Sequence, residues 1–381
     1  MLSSAESQNI LIHKTLKQFW GFDEFRSSQE KIILSVINGK DTLALLPTGG
    51  GKSLCYQLPA IILEGTCLVI SPLLALMRDQ LQSLQALGIE AELLSSDLDE
   101  FEEETVYNRC KEGLTKVLFV SPERLQNQLF LRNIQEIHIS FIAVDEAHCI
   151  SQWGHDFRPS YQNNKKFRQD FKNVPCLAMT ATATNQVVDE ISIKLGLHQP
   201  QIFKQSFRRD NLNIIVGNTS DKYKRILEFL RQNQASGIIY TRTRKEAEEL
   251  THYLKSNNCQ NVDFFHAGMT SRDRENLQKK WITSQFHVLV STNAFGMGID
   301  KDNVRFVIHF SPSSTLENYY QEIGRAGRNG QEAIVLLLWN EQELTNIDNI
   351  FKNQIPNKPE YEKILMYLYS IFQIADSDLP E

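Results

Sequence analysis

The stretch LLPTGGGKSLCY, residues 45–56, constrains the fold of this chain more than any other. An apolar run with strand character leads into three consecutive glycines, and a segment that can continue as a helix follows them. Glycines let successive backbone N–H groups point toward one centre, where the positive end of a helix favours a phosphate. The stretch therefore predicts a phosphate-binding loop in which Lys52 supplies a mobile charge and Ser53 ligates Mg²⁺. The residues predicted to hold a nucleotide here are Thr48, Gly49, Gly50, Gly51, Lys52 and Ser53.

The loop departs at one position from the strict phosphate-loop signature, which places Gly where this chain has Leu46. A Gly-rich turn that carries a solvated lysine is the alternative interpretation of such a partial match. The order of strand, loop and helix favours the phosphate loop over that turn.

The length of 381 residues allows two or three domains, each with its own core. The formal net charge is −6, so a nucleic-acid partner would have to be held by local basic patches. The six cysteines are scattered, and no two have the spacing of zinc ligands or of a redox pair. We therefore expect reduced thiols, without a disulfide framework or a zinc site.

The amino-terminal segment lacks a cationic start followed by an apolar core, and nowhere do about 18 apolar residues run together. These two observations predict neither a secretion signal nor a membrane span. We accordingly expect a cytoplasmic protein.

Short apolar runs rich in Val, Ile and Phe recur along the chain, each separated from the next by enough residues for a helix. This alternation predicts an α/β fold of βαβ units, with a mostly parallel sheet whose carboxyl ends carry the functional loops. The rhythm begins again near residue 206. We predict one lobe over residues 1–205, a second over 206–340, a short ordered hinge between them, and a helical carboxyl-terminal extension over 341–381.

The run FIAVDEAH, residues 141–148, ends an apolar strand with two adjacent carboxylates. A phosphate loop leaves two tasks open, which are holding Mg²⁺ and polarising the attacking water. We assign Asp145 to the metal and Glu146 to the water. A solvated acidic pair on a loop is the alternative for this motif.

The loop and the acidic pair together resemble the nucleic-acid-dependent ATPases of helicase superfamily 2, and the surrounding residues resemble the RecQ family of DNA helicases. The similarity covers nearly all of residues 16–339 and rests on strings in the order of that family. These strings are LKQFWGFDEFRSSQ, TGGGKSLCYQLP, SPLLALMRDQ, SPERL, DEAHCISQWGHDFRPSY, TATAT, FHAG, AFGMGIDK and QEIGRAGRNG. The resemblance implies two RecA-like lobes that clasp ATP between them.

The resemblance also implies site residues beyond the phosphate loop. Phe22, Arg26 and Gln29 match the adenine-recognition motif, and Asp300 lies where lobe 2 would meet the nucleotide. Independently of the family, an amide such as that of Gln29 carries a donor and an acceptor and can pair with the N6/N7 edge of adenine. A polar residue at the amino terminus of a helix is the alternative interpretation of Gln29.

Arg325 and Arg328, in QEIGRAGRNG, are three residues apart and are predicted to share a helix face aimed at the cleft. An arginine that reaches the γ-phosphate from a second domain stabilises the charge of the transition state. Both are therefore candidate catalytic residues. A surface salt-bridge cluster is the alternative.

Aromatic residues alternate with polar and basic ones in SQWGHDFRPSY, residues 151–161. Aromatic rings beside a guanidinium stack on unpaired bases without reading a sequence, and in the RecQ family the matching loop couples DNA binding to ATP hydrolysis. A loop that packs into the core is the alternative. The residues predicted to bind DNA or couple it to hydrolysis are Gln152, Trp153, His155, Phe157, Arg158, Thr180, Thr182, Thr241 and Ser291. Arg242, His266, Thr292 and Asn293 lie in the same predicted region, and His266 is the least secure of them.

These residues predict an ATP- and Mg²⁺-dependent RecQ-type motor that moves 3′ to 5′ on single-stranded DNA and separates partly duplex DNA in repair and recombination. We expect a nucleoid-associated monomer. A nucleic-acid-stimulated ATPase or RNA helicase with weak DNA unwinding is one alternative, and a phosphate-loop metabolic enzyme such as a kinase is another. The four-cysteine zinc module of longer RecQ proteins has no counterpart here, because no cysteine follows Cys259. Robust strand separation by this chain is therefore an open question.

Overall fold

A computed structural model describes residues 4–151, 158–181, 183–293, 295, 301–345, 358–359 and 361–363. The first part of the chain, called lobe 1 below, is built around one sheet. Its helices and strands are, in chain order, α1 (Ser4–Trp20), α2 (Gln29–Ile37), β1 (Thr42–Leu45), α3 (Lys52–Ile62), β2 (Thr66–Ile70), α4 (Leu74–Ala86), β3 (Ala91–Leu94), α5 (Glu100–Lys111), β4 (Val117–Val120), α6 (Gln128–Ile134), β5 (Ile139–Val144), α7 (Asn163–Asp170), β6 (Cys176–Thr180), α8 (Asn185–Lys194) and β7 (Gln201–Lys204).

The second part, called lobe 2, is built around another sheet. Its elements are β8 (Leu212–Asn218), α9 (Lys222–Gln232), β9 (Ser236–Tyr240), α10 (Arg244–Ser256), β10 (Val262–Phe265), α11 (Ser271–Ile282), β11 (Val288–Ser291), β12 (Val304–His309), α12 (Leu316–Ile323) and β13 (Ala333–Trp339). Residues 341–345, 358–359 and 361–363 are helical, and the rest of the predicted extension lies outside the described residues.

All strand pairs in both sheets are parallel. The sheet of lobe 1 has the order β3-β4-β2-β5-β6-β1-β7, and that of lobe 2 has the order β10-β11-β9-β12-β13-β8. Two tandem α/β lobes with flanking helices, as the sequence predicts, are thereby confirmed. The chain passes from one sheet to the other between residues 204 and 212, while the predicted boundary at residue 205 stays a prediction.

The core of lobe 1 lies on both faces of its sheet, because alternate residues of each buried strand point to opposite sides. In β2, Leu68 and Ile70 join one apolar cluster, and Cys67 and Val69 join the other. Burial of both faces explains why the central strands read as unbroken apolar runs in the sequence.

Local capping explains where two of the helices begin. Asp99 accepts from the backbone N–H of Glu102, whose side chain accepts in return from the backbone N–H of Asp99, and this capping box starts α5. Thr243 and Glu246 form the same motif at α10. The acidic run at residues 97–104 is thus the amino-terminal cap and first turn of a helix, where the helix dipole favours negative charge.

Among the described residues, no helix is long and apolar enough to cross a membrane.

Candidate functional site

The carboxyl ends of three neighbouring strands bring the predicted catalytic residues to one edge of the lobe 1 sheet. β1 and β5 each lie beside β6, so the loops that follow all three strands meet at this edge. The glycine loop follows β1, the DEAH run follows β5, and Thr180 ends β6. Functional loops of parallel α/β sheets collect at such an edge.

The glycine loop curls onto the amino-terminal end of α3, as its sequence predicts. Gly51 is the N-cap of α3, with φ 73° in the left-handed region that favours glycine. A Cβ at Gly51 would lie 2.3 Å from Nε2 of Gln29, so no larger residue fits there without displacement. This cradle leaves the first N–H groups of a helix directed toward a common point, which suits an anion.

Lys52 and Glu146 form an ion pair at the centre of the site. Nζ of Lys52 donates to Oε1 of Glu146 at 3.1 Å, and the two side chains are 17% and 15% exposed. Burial lowers the pKa of Lys52, but the negative charges of Glu146 and Asp145 outweigh burial and raise it overall. Lys52 is therefore held as a cation in a position to meet a phosphate.

The pKa of the Asp145 carboxyl group is raised. Burial, and then the charge of Glu146, raises the pKa of Asp145 to about 6, although Lys52 and a backbone hydrogen bond oppose this rise. Glu146 has φ 46°, a left-handed conformation that is costly for a residue with a side chain.

Tyr161 is fully buried, and its hydroxyl donates to the carbonyl oxygen of Asp145 at 2.8 Å. Tyr161 is the last aromatic residue of the 151–161 stretch, whose rings are predicted to stack on bases. That interpretation is wrong for Tyr161, because the side chain points inward and supports the acidic strand end.

His148 links the acidic run to the end of β6. Its Nδ1 lies 2.9 Å from Oγ1 of Thr180 and 3.4 Å from Oε2 of Glu146. Both His148 and Thr180 are buried, at 1% and 0% exposed. Thr180 is therefore not on a surface that DNA could contact directly. A coupling role for Thr180 would act through its contact with His148.

Of the three residues predicted to recognise adenine, two contact the glycine loop. Nε2 of Gln29 donates to the carbonyl oxygens of Gly50 and Gly51, at 3.4 and 3.1 Å, while its Oε1 accepts from the backbone N–H of Arg26 at 2.8 Å. Arg26 itself donates to the carbonyl oxygen of Gly49 at 3.4 Å. Phe22 is 50% exposed. The amide of Gln29 thus braces the loop, a contact that sequence reasoning missed.

The two groups predicted to hold Mg²⁺ both influence Tyr56. Burial raises the pKa of Tyr56, the charge of Asp145 raises it further, and a hydrogen bond with Ser53 lowers it. Ser53 and Asp145 thus lie on the same side of the site as Tyr56. Magnesium is commonly bound by one or two carboxylates together with substrate phosphates, and this donor set fits that pattern.

Zinc ligation has no candidate group in the described part of the chain. There, no three or more His, Cys, Asp or Glu side chains are grouped so that they could hold a metal ion. All six cysteines are free, and five of them are buried. The expected absence of a zinc site stays a prediction.

The two arginines of lobe 2 do not share a helix face, which corrects the sequence prediction. α12 ends at Ile323, and Arg325 and Arg328 follow it in consecutive turns. Arg328 lies at the glycine loop, since a Cβ at Gly49 would be 3.3 Å from its Cγ. Burial raises the pKa of Tyr240 to about 12 and the charge of Arg325 opposes this, so Arg325 lies beside Tyr240 inside lobe 2.

A third arginine, Arg209, lies in the segment between the two sheets and reaches the same place. The guanidinium of Arg209 donates to the carbonyl oxygen of Thr48 in lobe 1 and to that of Gly327 in lobe 2. Both acceptors are backbone atoms distant in sequence, so no local pattern could have revealed these contacts.

A groove of about 530 Å³ runs along the ends of β2, β3 and β4, beside the phosphate-loop edge. Residues from the SPLLALMRDQ and SPERL strings line it together with the end of β3. Arg124 donates to the carbonyl oxygen of Ser95 at 2.7 Å and is paired with Glu103. The lining includes Pro72, Leu74, Ser95, Ser121, Glu123 and Arg124.

Arg158 closes the base of the aromatic-rich loop. Its backbone N–H donates to the carbonyl oxygen of Cys149 at 3.0 Å, and its Nη1 donates to that of Pro72 at 2.9 Å. The loop therefore starts and ends beside the groove. The predicted residues that lie outside the described ones are Gln152, Trp153, His155, Phe157, Thr182 and Asp300.

The hydroxyls predicted to contact DNA from lobe 2 face inward. Oγ of Ser291 is fully buried and lies 2.8 Å from the carbonyl oxygen of Phe265, and Thr241 bonds to the carbonyl oxygens of Thr243 and Ser291. A direct contact to a DNA phosphate would require these strand ends to rearrange. His266 is buried and lies 2.8 Å from Glu248, which agrees with a structural role.

Two family descriptions match this chain, one in each lobe. Residues 26–191 match the DEAD/DEAH box helicase family, and residues 221–330 match the helicase conserved C-terminal domain. Among solved structures, the chain is similar to S. cerevisiae Dbp5 bound to RNA and ADP BeF3, with a TM-score of 0.68, 18% identity, and 91% of this chain and 92% of that chain covered. It is also similar to the helicase MrfA bound to DNA, with a TM-score of 0.72, 17% identity, and 91% and 54% covered. At these identities the likeness shows the fold, which is that of RecA-like helicase cores.

Relatives among curated proteins are closer in sequence. The chain is 44% identical over 331 residues to the probable ATP-dependent DNA helicase RecS of Bacillus subtilis. The matched region covers 86% of this chain and 66% of RecS. It is 41% identical over 341 residues to the ATP-dependent DNA helicase RecQ of the same organism, and 39% identical over 363 residues to RecQ of Pasteurella multocida. These cover 89% and 95% of this chain and 57% of each relative, so the chain spans about three fifths of the length of the proteins it matches. The chain belongs to the RecQ family of superfamily 2 helicases, and it carries the helicase core of that family.

Proposed function

We propose that this chain is the motor core of an ATP-dependent DNA helicase of RecQ type. The observation that carries the proposal is the meeting of three groups at one cleft. These are a phosphate loop with Lys52, the carboxylate of Glu146 on Lys52 at 3.1 Å, and Arg328 of lobe 2 against Gly49. The relatives named above as ATP-dependent DNA helicases support the same assignment.

In the proposed site, the phosphates of ATP replace Glu146 as the partner of Lys52. Glu146 is then released from its ion pair and accepts a proton from the attacking water as general base. The backbone N–H groups at the start of α3 bind the phosphate oxygens and orient the γ-phosphate for in-line attack. Binding of ATP therefore frees Glu146, the general base for its hydrolysis.

Asp145 and Ser53 would hold Mg²⁺, whose charge neutralises the phosphate oxygens when the metal is bound. Binding a cation favours the ionised form of Asp145, whose pKa of about 6 already leaves it mostly ionised above neutral pH. Tyr161 fixes the backbone of Asp145 by its hydrogen bond to the carbonyl oxygen.

Lobe 2 supplies the positive charge that stabilises the transition state. Arg328 already lies at the phosphate loop and is the proposed arginine finger, while Arg325 is proposed to support it from beside Tyr240. Such an arginine contributes about 10³ to 10⁵ in rate in other NTPases. Hydrolysis would then require that the two lobes be closed.

Single-stranded DNA is the proposed polymer, held by the groove at the ends of β2, β3 and β4 and by the aromatic-rich loop that Arg158 anchors. Trp153 and Phe157 are proposed to stack on bases and to signal DNA binding to the DEAH run, with Thr182 and Asp300 in coupling and nucleotide contacts. Backbone contacts without base reading suit a motor that moves along any sequence.

The finer parts of the proposal concern the whole protein. We propose 3′ to 5′ movement, strand separation in DNA repair and recombination, a monomer, and a place in the bacterial cytoplasm near the nucleoid. Of these statements, the bacterial relatives named as ATP-dependent DNA helicases support strand separation of DNA. No described contact of this chain reports on them.

An RNA-dependent ATPase is the second candidate, because the similar Dbp5 structure is described as bound to RNA. A kinase is the third. ATP hydrolysis measured without polymer, with single-stranded DNA and with RNA of equal length separates them. Stimulation by DNA supports the proposal, and stimulation by RNA alone supports the second candidate. An ATPase rate that neither polymer changes supports an enzyme of another class.

A further inference from the structure

Arg209 lies in the segment between the two sheets, and its guanidinium contacts both lobes. Nη1 donates to the carbonyl oxygen of Thr48 in the phosphate loop at 3.3 Å. Nη2 donates to the carbonyl oxygens of Ala326 and Gly327, at 3.2 and 2.7 Å. These two carbonyls belong to the turn between the two arginines of lobe 2. One side chain therefore joins the phosphate loop to the turn that carries the proposed arginine finger.

Asn211 fixes the orientation of this guanidinium. Its Oδ1 accepts from Nε of Arg209 at 3.1 Å, and its Nδ2 donates to the carbonyl oxygens of Gly327 and Gln331, both at 2.9 Å. Arginine presents its N–H groups in a rigid plane, so contacts on three of its nitrogens leave little freedom of position. The arrangement is that of a fixed bridge between backbone segments.

The two lobes lie against each other around this bridge. A Cβ at Gly49 would lie 3.3 Å from Cγ of Arg328 and 3.7 Å from Nη1 of Arg209. A Cβ at Gly324 would lie 2.7 Å from Cβ of Thr48. Gly49 and Gly324 lie where the backbones of the two lobes meet. The contacts around these two glycines therefore set the distance between the phosphate loop and Arg328.

We propose that Arg209 is a positioning residue of the hydrolysis site, which holds the turn that carries Arg328 at a fixed distance from the phosphate loop. The proposal rests on the proposed function, because an arginine from lobe 2 acts in hydrolysis only when ATP occupies the phosphate loop. Arg209 donates to backbone carbonyl oxygens of both lobes, so its side chain is already engaged in holding the two segments together. Displacement of a catalytic group by about 1 Å can cost about 100-fold in rate.

Arg209→Ala is therefore expected to lower kcat for DNA-stimulated ATP hydrolysis by about 100-fold, with KM for ATP little changed. Arg209→Lys is expected not to restore kcat, because an ammonium lacks the planar fork that reaches both lobes. Arg208→Ala is the matched control, since Arg208 is 84% exposed and pairs with Asp210 at 2.5 Å. This control is expected to hydrolyse ATP like the wild type.

A double-mutant cycle distinguishes positioning from a merely structural role. In the Arg328→Ala background, Arg209→Ala is expected to lower kcat by less than about threefold, because the position of an absent side chain cannot matter. Independent, multiplying effects would overturn the proposal. A raised KM with unchanged kcat would overturn it as well, because that result would place Arg209 on the nucleotide.

A measurement without nucleotide keeps the inference separate from the proposed function. The radius of gyration by small-angle X-ray scattering is expected to be larger for Arg209→Ala than for the wild type or Arg208→Ala, because the bridge between the lobes is lost. Equal radii for all three would reject the bridge even if the enzyme is active. Inactive wild-type protein with the expected difference in radius would reject the proposed function and leave the bridge supported.

Discussion

Nζ of Lys52 and Oε1 of Glu146 lie 3.1 Å apart across 94 residues of sequence, so the phosphate-binding cation and the proposed general base neutralise each other in this structure. Phosphate and Glu146 compete for the same ammonium group. ATP binding and release of the base are therefore one event in the proposed mechanism, and removing the negative charge of Glu146 should affect binding and hydrolysis in opposite directions.

Glu146→Gln is expected to lower kcat for ATP hydrolysis by about 10²- to 10⁴-fold, because an amide cannot accept the proton of the attacking water. ATP affinity is expected to be equal or higher, because Lys52 no longer has a carboxylate partner. Equilibrium binding of ATP and single-turnover hydrolysis measure the two effects. Glu102→Gln, which retains the capping box of α5, is the control. Weakened ATP binding in Glu146→Gln would contradict competition for Lys52.

Asp145→Asn is expected to stabilise the protein without Mg²⁺, and to do so more at alkaline pH. The folded-state pKa of Asp145, about 6, lies above its ordinary value of 3.8, so folding favours the protonated acid. Stability is then highest below pH 3.8 and falls as the pH rises toward 6, by about 3 kcal/mol in total. The neutral amide avoids this loss.

The measurement is the free energy of unfolding of the wild type and Asp145→Asn in EDTA, at pH 5 and pH 8. The advantage of the variant is expected to grow by about 1 kcal/mol between these values. Asp97→Asn is the control, because a hydrogen bond with Ser95 lowers the pKa of Asp97 from 3.8, so Asp97 is ionised at both pH values and its replacement should give no change in stability between them. If the stability advantage of Asp145→Asn shrank with rising pH, the charge of Asp145 would not destabilise the folded protein.

Gln29→Ala is expected to weaken ATP binding and to reduce the preference for ATP over GTP. Gln29 is 3% exposed, and its side-chain amide donates to the carbonyl oxygen of Gly51 and accepts from the backbone N–H of Arg26. Each such hydrogen bond contributes about 1 kcal/mol. KM values for both nucleotides measure the effect. Ser28→Ala is the control, because the side chain of Ser28 makes no capping hydrogen bond to α2. Equal KM values in Gln29→Ala and the wild type would reject both the bracing and the adenine assignment.

Trp153→Ala is expected to keep ATP affinity and lose the stimulation of hydrolysis by single-stranded DNA, because the ring is the proposed stacking platform. A stacked base contributes about 1–3 kcal/mol. ATPase rates with and without DNA, together with DNA affinity, measure the change. Stimulation that is the same as in the wild type would remove this tryptophan from the coupling loop.

The sequence predicts the fold and the centre of the site because their signals are local or strictly periodic. Buried strands such as β2 are apolar runs in the sequence, and consecutive glycines before Lys52 indicate the phosphate loop. The edge strand β8 shows that such an apolar run does not imply burial, because Ile214, Ile215 and Val216 are apolar and yet exposed.

What the sequence could not reveal depends on tertiary contacts. Arg209 meets Thr48 from 161 residues away, through a backbone carbonyl that any residue would offer. Tyr161 was misassigned because composition does not distinguish an inward ring from an outward one. Arg325 and Arg328 were placed on a helix because their spacing fits one, whereas α12 ends before them.

The most direct test of the account is ATP hydrolysis by the wild type and by Lys52→Ala, each with and without single-stranded DNA, with DNA affinity measured in parallel. Lys52→Ala removes the cation at the centre of the cradle and leaves the groove at the ends of β2, β3 and β4 intact. The account predicts hydrolysis stimulated by DNA in the wild type, none above background in the variant, and similar DNA affinity in both. Hydrolysis by Lys52→Ala at the wild-type rate would contradict it.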